Sequence, residues 1–228
     1  MPVLKVCCIA SIDEARLAVE HGATALGLVS AMPSGPGVIA DDEIAAIARA
    51  ARGLAGGASR PAPRIFLLTS RTSGPEIAAQ QRLAGTTTLQ LVDHVPHEEL
   101  RWLRRECPDV ELVQVIHVMG EASVDEARAV APWVDAILLD SGNPAAAVKE
   151  LGGTGRTHDW TLSRRIRESV GVPLYLAGGL RPHNVGGAIA QVRPHGIDVC
   201  SGVRRDGRLD PQQLQAFAQE VLGGAGSA

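Results

Sequence analysis

Eight times along this chain a short aliphatic run is followed by a stretch with helical signals, and no other feature narrows the possible folds as far. The runs lie at residues 3–9, 25–29, 65–68, 88–91, 110–118, 136–139, 174–177 and 197–199. The helical stretches lie at 12–21, 41–53, 75–84, 97–106, 123–131, 161–169, 184–192 and 211–222, with Ser11 as an N-cap and Gly22 as a stop for the first. Strands alternating with helices pair in parallel through right-handed crossovers. Eight such units of about 28 residues match an α/β fold of the (β/α)8 TIM-barrel type. The competitor, an open doubly wound sheet, wants a G-x-G-x-x-G turn after its first strand, and Cys7-Cys8-Ile9-Ala10-Ser11 is not one. The expectation is one barrel domain over residues 1–228.

Composition agrees with buried parallel strands. Hydrophobic residues make up 45% of the chain but aromatics only 3%, so the core is expected to be aliphatic. A formal net charge of -3 suggests neither a nucleic-acid nor an anionic-membrane partner. The four cysteines form no C-x-x-C pair and the seven histidines have no ligand spacing, so no disulfide framework and no metal are expected. The first strand begins almost at Met1, and no uninterrupted apolar run reaches about 18 residues. A cytoplasmic protein with reduced thiols is therefore expected, as a monomer or a homodimer. The glycine-rich patch at 56–63 reads as a surface loop.

Two glycine turns, Gly178-Gly179 after the seventh run and Ser201-Gly202 after the eighth, mark the strongest candidate site. Bare backbone N–H groups at the carboxyl ends of adjacent strands can hold a phosphate dianion, and in barrels the phosphate site lies after strands seven and eight. In the first run, Val3, Lys5 and Cys7 share one face and Leu4, Val6 and Cys8 the other. With Lys5 inward, its ammonium raises the thiolate fraction of Cys7, a candidate general base. From that strand alone, Cys7 as a small buried apolar residue is the simpler account. Cys8 is expected to pack against the helices. Asp140, closing the sixth run, is either an acid at the mouth or a turn-capping carboxylate. Asp198 within the eighth strand is expected to touch a ligand or to support Lys5. His94 is the histidine best placed toward the site, although it reads more simply as an ordinary loop residue. The long loop 140–159, carrying Gly152-Gly153-Thr154-Gly155 and Arg156, has the length of a lid, and Trp160 after it reads equally as packing.

The segments Lys5-Val6-Cys7-Cys8-Ile9, Leu138-Leu139-Asp140-Ser141, Gly152 through Trp160, Ala177 through Val185, and Asp198-Val199-Cys200-Ser201-Gly202-Val203 occur in an order that resembles the phosphoribosylanthranilate isomerase family over the whole chain. That resemblance implies a TIM barrel and an aldose–ketose isomerase of tryptophan biosynthesis that needs no cofactor or metal. Its substrate would be a small phosphosugar, N-(5-phosphoribosyl)anthranilate, carried through an Amadori rearrangement. By the same resemblance Asp140 is the acid and Cys7 the base, while backbone groups of Gly178, Gly179, Leu180, Ser201, Gly202 and Val203 hold the phosphate. The chain departs from the family in four places. Cys8 stands where the family has glycine, and Ser34-Gly35-Pro36-Gly37-Val38 lacks the arginine that meets the anthranilate carboxylate. Gln90-Leu91-Val92-Asp93-His94 replaces Gln-Leu-His-Gly, and Arg204 replaces a glutamate. Lys5, Asp198, Arg156 and Arg204 are the further substrate contacts expected, with Arg71, Arg156 and Arg204 as candidate replacement cations. A paralogous isomerase acting on another phosphoribosylated amine, and a non-catalytic phosphosugar-binding barrel, are the alternatives.

Overall fold

In a computed structural model, which describes residues 1–54, 61–143, 145–151 and 155–223, eight parallel strands close on themselves in sequence order, β8 pairing with β1. They are β1 (Val3–Val6), β2 (Ala25–Val29), β3 (Arg64–Thr69), β4 (Thr88–Leu91), β5 (Glu111–His117), β6 (Ala136–Asp140), β7 (Leu174–Leu176) and β8 (Gly196–Val199). The outer ring is α1 (Ile12–Glu20), α2 (Asp41–Ala51), α3 (Gly74–Ala84), α4 (His97–Glu106), α5 (Ala122–Val130), α6 (Trp160–Ser169), α7 (Pro182–Val192) and α8 (Pro211–Gly223). Gly152-Gly153-Thr154 and residues 56–60 of the glycine-rich patch lie outside the described residues.

Alternation along each strand sorts the core into two layers. In β3, Ile65 and Leu67 face the helices, while Phe66 and Leu68 join Ala25, Val29, Val113, Val115, Ala136 and Leu138 inside the barrel. Two of the chain's six aromatics lie in this interior. Phe66 and Tyr175 meet edge to face with ring centroids 5.9 Å apart, and Gly196 leaves room for the Tyr175 ring, which a Cβ there would meet at 2.5 Å.

Helix signals are obeyed locally. The Glu14 N–H donates to Ser11 Oγ (3.1 Å) at the start of α1, and α3 stops at Gly85 in the left-handed conformation (φ 61). Two features bear on the site, the first a boundary that differs from expectation. β1 ends at Val6, because Cys8 takes a left-handed backbone (φ 61) that breaks the pleat. Between β8 and α8 lies an additional short hairpin of β9 (Arg204–Arg205) and β10 (Arg208–Leu209), which turns through Asp206-Gly207, both at positive φ.

Candidate active site

At the carboxyl end of the barrel one pocket is lined by Cys7, Cys8, Gln90, Asp140, Asp198 and Cys200, with Gly178, Gly179, Leu180 and Ser201 on its other wall. The strand order explains the gathering. β1 and β8 are neighbours, and the Cys7 N–H donates to Val199 O (2.8 Å), so the thiol sits beside the eighth strand's exit. β6 delivers Asp140 to the same rim.

Lys5 is fully buried inside the barrel, its Nζ 2.9 Å from Asp198 Oδ1 and 5.0 Å from the centre of the Phe66 ring. The lysine and the carboxylate meet by charge rather than through an aligned hydrogen bond. Burial opposes the ammonium, but the Asp198 charge and then Cys7 hold the Lys5 pKa above the ordinary lysine value, so Lys5 stays cationic. Gly27 on β2 makes room for this arrangement, since a Cβ there would meet Cys7 Sγ at 2.7 Å and Lys5 Nζ at 3.1 Å.

Cys7 is 5% exposed and its thiol is held below the ordinary value. The neighbouring Cys8 thiol is the largest cause; burial works against it, and the Lys5 charge adds to it. Asp140 shifts in the opposite direction. Burial pushes its carboxyl up, while the Ser141 N–H donating to Oδ1 (2.7 Å) and the nearby His117 only partly offset this. The site thus holds one easily ionised thiol and one carboxyl slow to ionise, the requirement for a base and an acid at one substrate.

The two glycine corners touch. A Cβ on Gly202 would lie 1.9 Å from Leu180 O, so the 3-10 turn Ser201–Val203 is pressed against the β7–α7 turn. Gly178 (φ 83) and Gly179 (φ 62) take conformations that favour glycine, and the long β6–α6 loop lies on them. Its Arg156 and Thr157 backbone would meet a Gly179 Cβ at 2.6 Å, and a Gly178 Cβ would meet His158 Nδ1, Ser141 Oγ and Asp140 Oδ1 at 3.0–3.2 Å. Leu180 and Val203 turn their side chains into the helix-facing core, leaving only their backbone toward the corner. Gly202→Ala is expected to weaken inorganic-phosphate binding at least about tenfold, because its methyl must part the corners, with a stability loss of about 1–3 kcal/mol. Phosphate titration by calorimetry alongside thermal melting checks this; unchanged phosphate affinity would refute the shared-corner geometry.

Two expectations, for Cys8 and Arg204, are corrected. Cys8 does not pack against the helices: its left-handed backbone swings the thiol to the mouth, where it donates to Pro36 O (3.6 Å). Arg204 does not reach the mouth either. The hairpin folds its guanidinium under β1, where it bonds both Glu14 oxygens (2.9 and 3.1 Å) and the carbonyls of Cys7 (3.3 Å) and Cys8 (2.5 Å). Arg156 directs its guanidinium to Glu150, and Arg71 to Glu76. His94 lines an outer cleft between α4 and α5 rather than the mouth. Trp160 packs on the helix-layer core. Among the lining residues not named as candidates are Cys200, Leu151 and the buried Gln90. Gln90 was findable, being an inward polar residue between Leu89 and Leu91 in a strand buried throughout.

Among the described residues no group of three or more His, Cys, Asp or Glu is placed to hold a metal ion, and no helix is long and apolar enough to cross a membrane.

Residues 72–220 match the family described as N-(5'phosphoribosyl)anthranilate (PRA) isomerase. The N-(5'-phosphoribosyl)anthranilate isomerase of Methanocella arvoryzae is 32% identical, covering 97% of this chain and 98% of its own length. That of Methanothrix thermoacetophila is 34% identical over 97% and 98%. Among solved structures, phosphoribosyl anthranilate isomerase from Thermotoga maritima superposes with a TM-score of 0.80 at 27% identity, over 98% of this chain and all of that one. A phosphoribosyl anthranilate isomerase in complex with reduced 1-(o-carboxyphenylamino)-1-deoxyribulose 5-phosphate gives a TM-score of 0.78 at 25% identity, over 98% and 100%.

Proposed function

We infer the function from one premise: the chain belongs to the N-(5'-phosphoribosyl)anthranilate isomerase family. It is a phosphoribosylanthranilate isomerase, an aldose–ketose isomerase of tryptophan biosynthesis that acts on a small phosphosugar. The observation that carries the assignment of roles is the convergence of Cys7, Asp140 and the glycine corners on one pocket. The backbone of Gly178, Gly179, Leu180, Ser201, Gly202 and Val203 holds the 5'-phosphate and so fixes the sugar between acid and base. Asp140 gives its proton to the ring oxygen, the ring opens to a Schiff base, and the Cys7 thiolate takes the proton from C2. The enolamine that results ketonises to the product. Lys5, held by Asp198, supplies fixed positive charge beneath the thiolate. Four free thiols suit a reducing compartment, so we place the enzyme in the cytoplasm, as one barrel domain acting as a monomer or a homodimer. The test is a direct isomerase assay with restoration of growth in a tryptophan auxotroph lacking this step; no turnover and no growth would overturn the reading.

The pKa directions also shape the pH profile. The working form needs Cys7 ionised and Asp140 protonated. With ordinary values near 3.9 and 8.5 that form would be only about one part in 10⁴–10⁵ of the enzyme, and each unit of approach between the two raises it about tenfold. Here the thiol is lowered and the carboxyl raised, so the two approach each other. The expected kcat/KM profile is a bell whose limbs lie inside the interval from about 4 to 8.5. A bell as wide as that interval, or wider, would contradict the pairing.

A further inference from the structure

The chemistry above leaves Cys200 without a task and gives Cys8 only the support of the Cys7 thiol. Cys8 and Cys200 line the same cavity as Cys7, and all three are free. Val6 pairs with Val199 across the β1–β8 seam, so Cys7 and Cys200 leave their strands side by side. Cys8 joins the group only because its backbone is left-handed, which turns its side chain away from the helices. Gly37, itself at φ 77, presses on it from the β2–α2 loop: a Cβ there would lie 2.5 Å from Cys8 Cβ and 3.1 Å from Cys8 Sγ. The Cys8 thiol thereby lies in one pocket with both neighbours, its S–H turned to Pro36 O (3.6 Å). An L-residue in this conformation costs about 1 kcal/mol that glycine would not, so the thiol is present at some expense to the fold.

We propose that Cys8 and Cys200 form a reversible disulfide that takes oxidation off Cys7, making the barrel mouth a hydroperoxide-responsive thiol relay. Cys7 is the entry point, because its thiol is held below the ordinary value with the Lys5 ammonium nearby, whereas its neighbouring thiols and burial hold Cys8 above that value. The Cys7 thiolate attacks the hydroperoxide, the O–O bond breaks, and Cys7 becomes a sulfenic acid as the released oxygen takes up a proton to leave as water or alcohol. The Cys8 thiol then displaces water, forming a Cys7–Cys8 disulfide. The Cys200 thiol attacks the Cys8 sulfur, forming Cys8–Cys200 and returning Cys7 as a thiol. Two thiols lose two electrons in total and one hydroperoxide is reduced.

The test treats the intact protein with hydrogen peroxide, blocks free thiols and maps linkages by mass after trypsin. Cys7 and Cys8 fall on one tryptic peptide and Cys200 on another, so the expected product is a cross-link between peptides, lost on adding dithiothreitol. Cys7→Ser should suppress this cross-link, because the entry point is gone. Cys8→Gly, the residue best suited to that backbone, should recover about tenfold less of its own untreated isomerase rate after dithiothreitol than the natural protein does, since Cys7 then proceeds to irreversible oxides. A Cys7–Cys8 disulfide as the final product, a sulfinic or sulfonic Cys7 with no cross-link, or equal recovery in Cys8→Gly would each overturn the proposal. The mass readout stands independently of the isomerase assignment, so failure of one is distinguishable from failure of the other.

Discussion

Cys7→Ala is expected to lower kcat by about 10³-fold or more while KM changes little, because the variant keeps the phosphate corners and loses only the group that takes the C2 proton. The site is built around this sulfur: Gly27 leaves it room, Lys5 lies beneath it, and Arg204 holds the carbonyls on either side of its neighbour's peptide. Alanine removes one buried atom of modest volume, so the fold should lose little. Single-turnover rates with saturating substrate give the measurement. A rate within tenfold of the natural enzyme would remove Cys7 from the base role; a large KM increase with kcat intact would make it a binding residue instead.

Asp140→Asn is the companion, with an expected fall in kcat of about 10²–10⁴-fold. Asparagine has nearly the same shape, and its carbonyl oxygen still accepts from the Ser141 N–H, so the β6 rim should persist. What vanishes is the transferable proton, and with it the carboxyl's share of the bell. The variant's pH profile should therefore retain only Cys7's contribution, with activity rising through the thiol pKa and then levelling. A bell that survives unchanged would show that another group supplies the acid. Testing both variants together is informative because residues acting on one substrate are not additive: the double variant should fall little below the weaker single one.

Much of this architecture was legible because its determinants are local. Strand order in a barrel follows chain order, so the eight aliphatic runs sufficed to place Cys7, Asp140 and both glycine corners at one end. The two-residue alternation placed Lys5 inward and Asp198 beside it. The same rule failed one residue past β1, since Cys8 abandons extended backbone and no pleat parity applies there. Its partner in that contact, Gly37, lies far along the chain, and nothing in Cys7-Cys8-Ile9 announces it. Arg204 was misplaced for a similar reason. Directly after a glycine corner an arginine looks like an anion ligand, and only the tertiary position of Glu14, 190 residues earlier, reveals where its charge is neutralised. Parity and spacing thus read positions inside strands well, and read poorly the residues just beyond strand ends, where barrel sites are made.

That guanidinium clasp has a consequence for how the barrel is held closed. Glu14 also accepts from the Leu209 N–H (2.9 Å) and the Ala10 N–H (3.0 Å), so the chain's first corner is buttoned to a hairpin from its last tenth. Glu14 is thus a single joint shared by two corners, and Glu14→Ala would release the Arg204 guanidinium, the Ala10 N–H and the Leu209 N–H together.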